Sequence, residues 1–167
     1  MLILLAAVSA LAAPPIDGTF RPSIPEAEIQ ARLDKSIDDA AAQFNWAIRA
    51  IARGRIDDQA SACRTLALLS NETRTGVKCD DEPAIIRLTD NSEPTFTNGN
   101  RTVDSVVRWE PGVLHIDWES NAGARRTEYR FRDEDHFDLT VRVYSDHLDT
   151  PMTFTIPYER TGPASGL

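Results

Sequence analysis

From Val103 to Glu159 apolar and polar side chains alternate with a two-residue rhythm, and no other feature constrains this chain so tightly. Successive side chains of a β-strand point to opposite faces, so this rhythm describes strands with one apolar and one hydrated face. In "VDSVVRW" Ser105, Val107 and Trp109 oppose Asp104, Val106 and Arg108. In "VLHIDWE" Leu114, Ile116 and Trp118 oppose His115, Asp117 and Glu119. In "RRTEYRFR" Thr127, Tyr129 and Phe131 oppose Arg126, Glu128, Arg130 and Arg132. In "HFDLTVRV" Phe137, Leu139, Val141 and Val143 oppose His136, Asp138, Thr140 and Arg142. In "MTFTIPYER" Met152, Phe154, Ile156 and Tyr158 oppose Thr153, Thr155, Pro157 and Glu159. Short turn sequences separate these runs, so neighbouring strands pair antiparallel in a meander. Pro157 has no N–H for a ladder and marks an edge or a bulge. "AIIRL" adds a short strand near residue 84, and Asn98-Gly99 is a hairpin signal.

The apolar face of such a sheet needs a cover. Ser23 and Glu26 have the spacing of a capping box. Ile29, Leu33, Ile37, Ala41, Phe44, Ile48 and Ile51 then recur every three or four residues, which predicts an amphipathic helix over 24–53, stopped near Gly54. A second helix is expected over 58–70, with a strand as the other reading, and 71–82 reads as a turn region. The expected fold class is α+β: a long N-terminal amphipathic helix packed on a curved antiparallel β-meander or partial barrel. It would form a single domain over 23–162, behind an extended Pro- and Gly-containing linker at 13–22. A chain of 167 residues can bury such a core without metal or dense disulfides.

The opening "MLILLAAVSALAAPP" places Ala10-Leu11-Ala12 after an apolar run, the pattern of a secretory cleavage site. A signal peptide over 1–12 is expected, although no Lys or Arg precedes the run; a buried N-terminal strand or helix is the alternative. The run is too short for a membrane span. Export to a periplasmic or secreted location would leave Cys63 and Cys79 free to form a disulfide. The net charge of −8 argues against nucleic acid or an anionic membrane as partner.

Each of the three histidines is followed two residues later by an aspartate. His115–Asp117 and His136–Asp138 share the polar face of two strands, and His147–Asp149 lies in a connection. Imidazoles with carboxylates as further ligands or orienting partners are zinc-site chemistry. The same face carries five arginines and three glutamates, so a cross-strand ladder of opposite charges is the reading adopted here. No catalytic or nucleotide-binding motif occurs, and neither a cofactor nor an enzymatic activity is expected.

The hairpins "VLHIDWES", "RTEYRFR" and "FTIPYER", with their inward aromatics, give residues 83–160 a pattern that resembles the lipocalin-like (calycin-type) β-meanders of small exported bacterial proteins. The leading helix and the Cys63–Cys79 segment depart from that pattern. The resemblance implies binding of a small hydrophobic ligand, with Trp109, Trp118, Tyr129, Phe131, Phe154 and Tyr158 as candidate contacts; the same side chains would equally make a plain core. The alternative role is contact with an envelope protein, and the third is a metal-dependent enzyme using His115, Asp117, His136 and Asp138.

Overall fold

A computed structural model describes residues 15–57, 61–82, 84–88, 90–92, 95–98, 101–120, 123–164 and 167. The expected signal peptide over 1–12 lies outside the described residues. In chain order the elements are β1 (Ile16–Pro22), α1 (Glu26–Ala41), α2 (Arg49–Asp57), β2 (Leu66–Ser70), β3 (Arg74–Cys79), β4 (Ile85–Leu88) and β5 (Thr95–Asn98). Then follow β6 (Arg101–Glu110), β7 (Val113–Ser120), β8 (Gly123–Phe131), β9 (His136–Tyr144) and β10 (Met152–Gly162). All strands join one antiparallel sheet in the order β4-β3-β2-β1-β10-β9-β8-β7-β6-β5. The five alternating runs are β6 to β10, each paired with the next in sequence.

The sheet curls into a nearly closed barrel. β5 pairs with Arg101–Asp104 of β6. Asn91, just beyond β4, closes the gap with its side chain: its Oδ1 accepts from Val107 N–H at 2.7 Å and its Nδ2 donates to Val107 O at 3.0 Å. One amide thus imitates a strand partner. Asn91 itself sits at φ 57°, a left-handed conformation that asparagine tolerates. Nearer the end of β6, Trp109 Nε1–H donates to Ser70 Oγ of β2 at 3.2 Å, a second bridge across the seam.

α1 fills a break in the wall. β1 pairs with β10 only up to Tyr158 and then departs, so the outer carbonyls of β10 lose their strand partner. Ser23 N–H takes Pro157 O at 3.0 Å, Arg32 takes Thr155 O at 2.9 Å and Ser36 Oγ takes Thr153 O at 2.8 Å. Pro157 faces this edge rather than β9, so its missing N–H costs no ladder bond. Ile29, Leu33, Ile37 and Ala40 of α1 join the core inside.

Several expectations need correction. The fold is mainly β rather than α+β, and no helix runs from 24 to 53. The helix ends at Ala41, and Asn45 starts a new turn: its Oδ1 accepts from Ala47 N–H at 3.0 Å and from Ile48 N–H at 3.3 Å. Such local acceptance by an Asn side chain competes with continued helix. Pro25, not a Ser23–Glu26 capping box, stands at the start of α1, and no side chain caps it. The described part of the expected second helix, 61–70, contains strand β2, and the expected turn region contains β3. The segment expected to be a linker enters the barrel as β1 from Ile16 onward.

Candidate functional site

On β6 and β9 the largest inward side chains lie toward one end of the barrel. On β6 they run Trp109, Val107, Ser105, Val103; on β9 they run Phe137, Leu139, Val141, Val143. β8 carries Phe131 and Tyr129 at that end, then Thr127, and Arg125 at the other. The large side chains gather at the end with the tight turns. There Phe137 touches the rings of Phe20 at 4.8 Å, Tyr158 at 5.2 Å, Phe131 at 5.3 Å and Tyr129 at 5.7 Å. A tapered filling of this kind leaves space at the other end.

That space is a cavity of about 840 Å³, half open to solvent. Trp118, Ala124 and Arg125 of the β7–β8 hairpin form one wall, with Val103 of β6 beside them. Val143 of β9 and Met152 of β10 continue that wall on the next two strands, with Leu148 of the β9–β10 connection beside them. Phe44, Ile48, Ile51 and Ile56, from the α1–α2 connection and α2, close over the top. Gln43 pins this cover to the β9–β10 connection, donating from Nε2 to Thr150 O at 3.1 Å and accepting from Thr150 N–H at 2.9 Å. The break after Ala41 therefore has a use: it turns Phe44, Ile48 and Ile51 onto the barrel mouth. Gly123 is required at the rim, because a Cβ there would lie 2.3 Å from Tyr144 O and its φ is +135°.

Cys63 and Cys79 form a disulfide with Cα atoms 5.2 Å apart, tying the segment before β2 to the end of β3. Next to it Tyr158 donates its hydroxyl to Cys63 O at 2.8 Å. Burial raises the pKa of Tyr158, and it pushes Tyr129 up to about 12, with Arg125 pulling the latter back.

Arg125 is the arginine of the lining, which also includes Glu119 and His147 at its edge. It pairs in register with Trp118 and Val143 and shares the inward parity of Thr127 and Tyr129. Its side chain is half-buried and borders the cavity, crowded by protein on its other sides. Desolvation pulls its pKa below the ordinary arginine value; Tyr129, Glu82 and Tyr158 act in the opposite direction through their charges. Arginine remains a cation all the same.

Of the six aromatic contacts expected from sequence, only Trp118 lines the cavity. Tyr129, Phe154 and Tyr158 are buried in the solid core. Trp109 and Phe131 stack at 6.2 Å toward the turn end. Phe44, Ile48 and Ile51 read in the sequence only as part of a helical stripe and Arg125 was not singled out, although the parity of β8 places Arg125 inside.

The His–Asp pairs do not converge. His115 aligns with Glu128, and Glu128 with Thr140, so His136 lies two strands away and four residues along. Asp117 accepts from Arg108 at 2.6 Å, and Asp138 is paired with Arg132. His136 Nδ1 meets Asp133 Oδ1 at 2.8 Å; His115 Nε2, 3.7 Å from Glu110 Oε1, has no hydrogen bond. His147 stands on the cavity rim, with Asp149 exposed beyond it. Glu128 anchors the charged outer face. Burial pushes its carboxyl up, but Arg130 and Arg142 outweigh that and hold it below its usual range. Among the described residues no group of three potential metal ligands forms.

No protein-family model and no curated protein matches the chain.

Proposed function

We propose that this chain is an exported, non-catalytic protein that binds a small apolar ligand in a lipocalin-like barrel. The supporting observation is the cavity. Its volume of about 840 Å³ lies within the range of roughly 300–1,000 Å³ typical of small-molecule sites, and aliphatic and aromatic side chains make most of its wall. Export is supported by the Cys63–Cys79 disulfide, a bond that persists in oxidising compartments, and by the leader-like opening of the sequence. No helix among the described residues is long and apolar enough to cross a membrane. The absence of catalysis is supported by Asp117 and Asp138 being held by arginines rather than by the histidines two residues before them.

A neutral apolar fluorophore such as N-phenyl-1-naphthylamine tests the reading. It should bind saturably at one site per chain and quench Trp118. Ile48→Glu with Ile51→Glu should weaken that binding at least tenfold while the melting temperature stays unchanged. Failure of the native protein to bind any neutral apolar probe removes the reading. A second role is favoured by one observation: Trp46 is 87% exposed on the α1–α2 connection and points away from the cavity lining. Exposed aromatics of this kind mark contact surfaces, here for an envelope partner. Trp46→Ser should then abolish capture of that partner and leave probe binding intact.

A further inference from the structure

We infer that the ligand of this cavity is an amphiphile with a carboxylate head group, held as an ion pair by Arg125 at the inner wall. The inference rests on the reading of the cavity as a ligand site and names the class of molecule that fits it.

The arginines around Arg125 set the contrast. Arg108 pairs with Asp117 at 2.6 Å, Arg130 with Glu128 at 2.6 Å and Arg142 with Glu128 at 3.4 Å. Arg126 lies over the ring of Tyr144 at 4.9 Å. All of these point outward, where water also solvates them. Arg125 alone of this group points into the barrel, and among the described residues no carboxylate or carbonyl lies within hydrogen-bond distance of it. Glu82, an exposed residue beyond β3, reaches it only through its field. Tyr158 has already committed its hydroxyl proton to Cys63 O.

A half-buried charge set in a mostly apolar wall without a protein partner is poorly solvated, and arginine cannot escape by losing its proton. An apolar site that retains such a group is built for a complementary charge. A carboxylate suits the planar, forked guanidinium best, because two parallel N–H···O bonds form at once. The hydrocarbon body would then lie along Val143, Leu148 and Met152 toward Ile48 and Ile51 of the cover. A cationic head group would be repelled, and a neutral one would leave the guanidinium unpaired. The overall charge of −8 works against anions at the surface, so a preference for an anion must come from a local site.

Three probes of equal chain length separate the possibilities: dodecanoate, 1-dodecanol and dodecyltrimethylammonium, each titrated calorimetrically into the mature, disulfide-bonded protein. Dodecanoate should bind at least tenfold more tightly than dodecanol, and the cation more weakly than either. Arg125→Met should bring dodecanoate down to the affinity of dodecanol, which itself should not fall. Arg125→Lys should keep part of the preference. The Met variant removes a charge without a protein partner from a mostly apolar wall, so it should melt no lower than the native protein. Equal binding of dodecanoate and dodecanol to the native protein, or an unchanged ratio in Arg125→Met, overturns the inference while leaving the apolar-ligand reading in place. If no probe binds, both fall together.

Discussion

The two ends of this barrel are built from the same alternating strands and finish in opposite ways. At the turn end the inward positions carry Trp109, Phe131, Phe137 and Tyr158, and the interior is solid. The stack of Trp109 on Phe131 and its bond to Ser70, whose Oγ also meets Thr75 Oγ1 at 2.7 Å, close that end with satisfied polar groups. At the helix end the inward positions carry Val103, Trp118, Arg125, Val143 and Met152, and they border a chamber under a cover of separate origin. Alternation therefore decides that there is an inside. Side-chain volume along each strand decides whether that inside is a core or a chamber.

The sharpest way to break the comparison is to cut side chains at both ends. Phe137→Ala should cost about 3–5 kcal/mol, because Phe137 is fully buried among four rings. Val143→Ala, at the hollow end, should cost only about 1 kcal/mol. Urea denaturation gives both values, and equal costs would mean that the ends are packed alike. Next in size is the disulfide. Cys63→Ser with Cys79→Ser should lose about 3 kcal/mol, the loop-closure value for a ring of this size, and the same titration reads it. Alkali comes third. Tyr129 has its folded pKa raised to about 12 from an unfolded value near 10, so the native state holds its proton longer. Stability from this group is complete below about pH 10 and is lost as pH rises toward 12, roughly 2–3 kcal/mol in all. Tyrosinate absorbance at Tyr129 should accordingly appear together with unfolding; early ionisation in a still-folded protein would place Tyr129 outside the solid region. The smallest effect belongs to the cover. Ile51 is 62% exposed, so Ile51→Ser should change stability by less than about 0.5 kcal/mol while weakening any ligand held in the chamber.

The strands from β6 to β10 were readable because each buries one face only, and a period of two is then written directly in the residues. β2 was not, since Leu66, Ala67 and Leu68 are all buried and a continuous apolar run fits helix and strand equally. β1 hid behind Gly18 and Pro22. Gly18 is needed because a Cβ there would sit 2.6 Å from the Phe20 ring, a tertiary reason that local composition cannot display. The long helix was overread for a related cause: its apolar spacing runs unbroken through Phe44, Ile48 and Ile51. Those residues are apolar to line the chamber rather than to continue α1, and the only local mark of the break is Asn45. The site was legible in part. Trp118 was singled out, whereas Arg125 was passed over as one more charge in "RRTEYRFR". The His–Asp spacing was real, but it lay on a face where arginines reached the carboxylates first.

The seam beside Val107 hangs on the chemistry of one primary amide. Hydrolysis of Asn91 to aspartate would exchange the donor facing Val107 O for an oxygen, turning an attraction of 3.0 Å into a repulsion between two acceptors. Slow spontaneous ageing of that single side chain would thus loosen the cylinder beside Val107, leaving Trp109 and Ser70 to hold the far end of that seam.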